Sequence, residues 1–156
     1  MGSRESTPYG ESIVTAFTPS LVQAGYSIVS GGALGIDAES HRVTLDTGGH
    51  TIAVVGCGVD IFYPARHRSL YERILANGGA IVSQFPLSVE ARPYMFPMRN
   101  EIIAGLSIGV MVVEAREKSG SLITARLALE QGKDVFIPPS DIGRQNSWGT
   151  LRFLQG

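Results

Sequence analysis

Apolar positions in this chain fall into five short, nearly unbroken runs rather than into alternating ones: Ser27–Ser30, Thr51–Val55, Ala80–Ser83, Val110–Val113 and Asp134–Ile137. Runs of this kind, rich in Val and Ile and lacking period-two alternation, predict strands covered on both faces, as in parallel sheets. The stretches between them have helical character and helical punctuation. Tyr9–Ala24 follows Pro8 and stops at Gly25; Ile36–Leu45 ends before Gly48-Gly49; Ala65–Leu75 follows Pro64 and ends before Asn77-Gly78-Gly79. Pro97–Leu106 starts with proline in its first turn, where a missing N–H is harmless, and Ser121–Gln131 lies between Gly120 and Gly132. Strand and helix in turn predict a Rossmann-like α/β fold: a doubly wound, mostly parallel sheet with helices on both faces.

The opening departs from that scheme. Met1-Gly2-Ser3-Arg4 runs almost directly into a helix, although Gly2-Ser3-Arg4 has the character of a loop that follows a strand. The expectation is a single core domain over residues 1–156 whose first strand is missing and whose start is truncated.

Composition narrows the class. Nineteen of 156 residues are glycine, well above the ~7% that is usual. Thirteen basic and 14 acidic residues give a net charge of −1, which excludes a polybasic tail or a broadly cationic coat. Eleven of the 13 cations are arginine, the side chain suited to forked contacts with phosphate or carboxylate. Cys57 is the one cysteine, so no intrachain disulfide and no cysteine metal cage forms. No apolar run approaches the ~20 residues that span a bilayer. The chain is expected to be soluble and cytoplasmic, with no membrane partner.

Ligands of open α/β sheets bind beyond the carboxyl ends of the strands, and the glycines gather there. Ser30-Gly31-Gly32 follows the first run, Gly56-Cys57-Gly58 the second, and Ser119-Gly120-Ser121 precedes the last full helix. Such loops let an anion approach bare backbone N–H groups; equally, tight βα turns need glycine with no ligand at all. The dinucleotide and P-loop fingerprints GxGxxG and GxxxxGK[ST] are both absent. Between Phe62 and Arg99 the cations Arg66, Arg68, Arg73, Arg92 and Arg99 outnumber Glu72 and Glu90, interleaved with Phe62, Tyr63, Tyr71, Phe85, Tyr94 and Phe96. Arginines beside rings suit single-stranded nucleic acid, and also a solvated face over core aromatics. Catalytic candidates are thin. His41, His50 and His67 lack metal-ligand spacing, Asp37 and His41 stand four apart, and Glu114 is placed either to touch a ribose or to pair with Arg116 or Arg126. Cys57 is expected to be a small buried residue.

Several linked motifs carry a resemblance. Ser30-Gly31-Gly32-Ala33-Leu34-Gly35-Ile36-Asp37-Ala38 with His41-Arg42, then Gly56-Cys57-Gly58-Val59-Asp60 with Tyr63-Pro64, occur in order along the chain. Phe96-Pro97-Met98-Arg99-Asn100 with Ile102-Ile103-Ala104-Gly105-Leu106-Ser107, and Glu114-Ala115 with Ser119-Gly120-Ser121-Leu122-Ile123-Thr124-Ala125, complete the set. Together they resemble the DNA-processing protein A (DprA/Smf) family over nearly the whole chain. The resemblance implies a Rossmann-like core that binds single-stranded DNA without a nucleotide cofactor, acts in DNA uptake and recombination, protects the strand, helps to load a RecA-type recombinase and forms a homodimer. It implies no enzymatic activity. Arg4 falls on the family's phosphate-gripping arginine, Phe96 on its aromatic position, and Gly31, Gly56, Arg99, Asn100, Ser119, Gly120 and Ser121 on its pocket motifs. With the glycine and arginine arguments, the expected DNA- and phosphate-binding set is Ser3, Arg4, Ser30, Gly31, Gly32, Gly56, Gly58, Arg66, Arg92, Phe96, Arg99, Asn100, Ser119, Gly120 and Ser121, with no metal site.

The chain also departs from the family pattern. Pro93 stands where a basic residue is usual, Glu101 replaces an arginine, and Pro138-Pro139-Ser140 replaces Pro-Gly. A weak binder, a diverged paralogue and a truncated core are the open alternatives. The competing function is a phosphoribohydrolase-like enzyme of the related superfamily, whose loop carries a glutamate; here the matching stretch has no acid until Glu130. A scaffold that contacts only protein partners is the third.

Overall fold

A computed structural model describes residues 1–156. Helices and strands alternate as α1 (Pro8–Gln23), β1 (Ile28–Ser30), α2 (Ile36–Asp46), β2 (Thr51–Val54), α3 (Arg68–Ala76), β3 (Ala80–Val82), α4 (Met95–Leu106), β4 (Gly109–Met111), α5 (Gly120–Glu130), β5 (Asp134–Phe136) and α6 (Trp148–Leu154). Every apolar run is a strand and every punctuated stretch a helix. The α6 helix was not anticipated.

All strand pairs are parallel, but they form two ladders rather than one: β1-β2-β3 in order, and β4-β5. Ile28 lies opposite Thr51, Ile52 opposite Ala80, and Gly109 opposite Asp134. The first residues of the chain run along β4. The Met1 amino group donates to the Met111 carbonyl (3.0 Å), and the Val113 N–H donates to the Met1 carbonyl (2.9 Å). Residues 1–3 therefore run beside β4, and they deliver Arg4 to the carboxyl end of the sheet.

The core follows from strand alternation. Ala53 and Val55 join Ala38 and Leu45 of α2 and Leu70, Tyr71 and Ile74 of α3 in one buried cluster. A second links Ala104 of α4, Val110, Val112 and Ala115 around β4, and Leu122, Ala125 and Ala128 of α5. A third, smaller cluster of Val14, Ile36 and Val113 ties α1 and α2 to the end of β4. Helix α1 starts with Pro8 at its first position and Thr7 as N-cap, whose side chain accepts from the Gly10 N–H. No helix is long and apolar enough to cross a membrane.

Candidate functional site

A cleft opens where the loops after β1 and β2 meet the start of α4, lined in part by Arg4, Gly31, Gly56, Tyr63, Phe96 and Arg99. Its floor is aromatic. The Tyr63 and Phe96 rings stack with centroids 5.7 Å apart at 29°. The Arg4 guanidinium lies 5.1 Å above the Phe96 centroid and that of Arg99 5.6 Å away. Both are within cation–π range, but the two arginines differ in kind. Arg4 is exposed and takes part in none of the ion pairs. Arg99 is 5% exposed; its Nη1 donates to the carbonyls of Gly31 and of Val54 (2.6 Å), and its Nε donates to Asn100 Oδ1 (3.1 Å). Burial pushes the Arg99 pKa down while Asp37 pulls it back.

Arg4, Gly31, Gly56, Phe96 and Arg99 of the expected set thus meet in one cleft. Gly56 is pressed against the Phe96 ring, 2.9 Å from where a Cβ would stand. Others form the frame behind it. Ser3 is buried, its N–H donating to the Glu114 carbonyl (3.0 Å) and its hydroxyl exchanging bonds with the Glu5 backbone. Ser30 is buried and its hydroxyl has no partner. The Gly32 carbonyl accepts from the Tyr71 hydroxyl (3.1 Å), and Gly58 is buried with its N–H on the Val89 carbonyl (2.8 Å). Asn100 donates to the Gly120 carbonyl (3.2 Å), strutting α4 against the start of α5, where Ser119 caps the Ser121 N–H and meets its hydroxyl at 2.7 Å.

Two expected residues stand apart from the cleft lining. Arg66 borders a neighbouring polar depression with Arg42, Glu11 and Glu39, and Arg92 is exposed on the segment that leads into α4. The arginine-rich stretch is not one cationic face. Arg68 pairs with Glu72 (2.9 Å), Arg73 with Asp46 (2.5 Å), and Arg99 points inward. Glu101 is exposed on the turn of α4 away from the Phe96–Arg99 side.

One further expectation is corrected. Glu114 contacts neither a ligand space nor Arg116 or Arg126; it is 2% exposed and binds Thr7, through the N–H (2.9 Å) and the hydroxyl (2.7 Å). Asp37 bonds locally, its Oδ2 accepting from the Ala33 N–H (3.4 Å), and His41 faces elsewhere. Its Nδ1 meets Thr51 Oγ1 at 2.7 Å, and because that hydroxyl donates to the Ile28 carbonyl (2.7 Å), Nδ1 carries the hydrogen. Its Nε2 is buried without a partner, and burial pushes its pKa down to about 4. Cys57 is fully buried, as expected, with burial raising its pKa.

Tyr63 was not singled out as a site residue, although it stands in the same segment as Gly56 and Asp60. Its aromatic neighbour lies 33 residues on, at Phe96, and no local pattern encodes that pairing.

Fold and cleft together define a parallel α/β domain with a cation-and-ring cleft at the carboxyl ends of its strands. Residues 1–156 match the family described as DNA recombination-mediator protein A, and the chain belongs to that family. Protein Smf of Escherichia coli is 49% identical over 149 residues, covering 96% of this chain and 40% of the relative. DNA processing protein DprA of Bacillus subtilis is 40% identical, covering 99% of this chain and 52% of its own. The chain spans about half the length of these relatives. The X-ray structure of DNA processing protein A from Streptococcus pneumoniae superposes with a TM-score of 0.90 at 39% identity, over 99% of this chain and 54% of that one. A DNA processing protein A structure from Helicobacter pylori, described for its single-stranded DNA binding mode, superposes with a TM-score of 0.89 at 31% identity, over 99% and 69%.

Proposed function

We propose that this domain binds single-stranded DNA in the cleft between Arg4 and the Tyr63–Phe96 floor, and through that binding serves DNA processing and recombination. The observation that carries the reading is Arg4 itself: an exposed guanidinium without an acidic partner, held over the Phe96 ring in the lining of the cleft. A phosphate fits the cation and a base fits the ring, and single strands offer both at a spacing of one nucleotide. The single-stranded DNA binding described for the H. pylori relative supports the same assignment. The finer elements of the reading are protection of the strand, assistance to a RecA-type recombinase, a homodimer and a cytoplasmic setting without enzymatic activity.

The cleft lining offers no Asp or Glu to support glycosidic cleavage. Fluorescence anisotropy with labelled oligo-dT over a salt series tests the proposal. The expected result is a logarithm of the binding constant that falls linearly with log salt, with a slope of about −0.7 per phosphate neutralised. Absence of binding at low salt, or binding indifferent to salt, overturns it. Incubation with AMP and assay for free base tests the competing enzyme.

A further inference from the structure

The Arg4 loop is short, exposed at its tip and fastened on both sides to one residue. Glu114 follows the end of β4 and is 2% exposed. Its main-chain carbonyl accepts from the Ser3 N–H (3.0 Å), immediately before Arg4. Its carboxyl oxygens accept from the Thr7 N–H (2.9 Å) and the Thr7 hydroxyl (2.7 Å), three residues after Arg4. The same Thr7 hydroxyl accepts from the Gly10 N–H (3.1 Å), so the carboxyl group orients the cap of α1 as well. The missing side chain of Gly10 makes room for this carboxyl group. A Cβ there would stand 2.6 Å from the Glu114 Cδ, and the carboxyl group is enclosed and bonded on both oxygens. From the other side the loop rests on Gly35, whose φ of 75° and 2.3 Å Cβ approach to the Ser3 carbonyl admit only glycine.

We propose that Glu114 is the positioning residue for Arg4: it holds residues 3–7 so that the guanidinium stands over Phe96 before any ligand arrives. The inference rests on the reading of the cleft as a single-strand DNA site. The chemistry demands an acceptor at both oxygens, because each Thr7 group that faces Glu114 is a donor. Fixing a residue's backbone costs conformational entropy, so a loop ordered in advance leaves less to be lost on binding. A glutamine keeps the length and one clean acceptor; alanine removes the Thr7 side of the clasp, keeps the main-chain bond to Ser3, and leaves the Thr7 N–H beside a void.

The test is a double-mutant cycle on oligo-dT affinity with wild type, Glu114→Ala, Arg4→Ala and the double variant, together with hydrogen exchange on the free proteins. If Glu114 acts through Arg4, Glu114→Ala weakens binding and flattens the salt slope by about 0.7, yet adds nothing in the Arg4→Ala background. Glu114→Gln restores part of the affinity, and exchange accelerates over residues 3–10 while α3 is unchanged. Should Glu114→Ala melt below the measuring temperature, the same cycle with Glu114→Gln decides. An equal fold-loss in both backgrounds, or no loss in the wild-type background, overturns the inference. Wild-type protein that fails to bind oligo-dT overturns the reading of the cleft instead, and the exchange data then still decide whether Glu114 holds the loop.

Discussion

Arg4 and Phe96 come from opposite ends of the chain's first hundred residues and meet with the guanidinium 5.1 Å above the ring centroid. Their pairing divides binding into a charge component and a stacking component that separate experimentally. Arg4→Ala is expected to weaken oligo-dT binding and reduce the magnitude of the salt slope by about 0.7. Arg4→Lys keeps the charge but not the planar fork, so it retains the slope while losing affinity. An unchanged slope in Arg4→Ala contradicts a phosphate contact at this residue.

Removing the ring removes stacking alone. Phe96→Ala is expected to lose about 1–3 kcal/mol of binding free energy per base stacked, with the wild-type salt slope intact, whereas Phe96→Tyr stays close to wild type. Parallel loss of slope and affinity in Phe96→Ala would mean that the ring acts only as a support for Arg4.

Arg99 faces the frame, and its loss is expected to register in stability. Arg99→Lys cannot serve the Gly31 and Val54 carbonyls and Asn100 together. A buried charge-assisted hydrogen bond contributes about 2 kcal/mol, which lowers Tm by about 4–8 °C in a domain of this size. Thermal denaturation checks this, and the salt slope of oligo-dT binding is expected not to change.

The buried His41 makes stability pH-dependent. Its pKa is lowered to about 4 by burial, against about 6.5 in an unfolded chain. Between those values the unfolded state binds the proton and the folded state does not, so stability is full above pH 6.5 and is lost as pH falls. From pH 7.5 to pH 5 the loss is about 2 kcal/mol. Urea titrations at the two pH values are expected to show this increment in wild type and not in His41→Gln.

Glu101, a departure from the family pattern, lies on the outward turn of α4. Its position predicts that Glu101→Gln leaves oligo-dT affinity nearly unchanged and that its effect is far smaller than that of Arg4→Ala. A large gain in affinity would show that the strand runs over this face as well.

Much of this was legible in the sequence, for local reasons. Strands of three or four residues announced themselves as β-branched runs, helices by Pro and Gly punctuation, and the loops at the strand ends by glycine. What stayed hidden was set by distance. The partner of Glu114 is Thr7, 107 positions away, so its charge suggested nearby Arg116 or Arg126. Arg99 has the same chemistry as Arg4 on paper, and only the carbonyl ends of two strands turn it inward. Helix α6 has seven residues, includes Gly149, and is seated by the Gly149 N–H on the Ala115 carbonyl (2.9 Å), a contact no window of local sequence contains. The two-ladder arrangement of the sheet was likewise unforeseen.

One turn of α4 carries Phe96 toward the opening and Arg99 toward the strand ends, and this gives the cleft unequal halves. Its lower half is bolted to the sheet and moves only if the sheet does; its upper half is a tethered arm of a few residues with a cation at the tip. Purines and pyrimidines differ in the clearance they need between the two. On the proposed reading of the cleft, a base therefore meets a fixed floor on one side and, on the other, an arm whose height is set by its tether at Glu114.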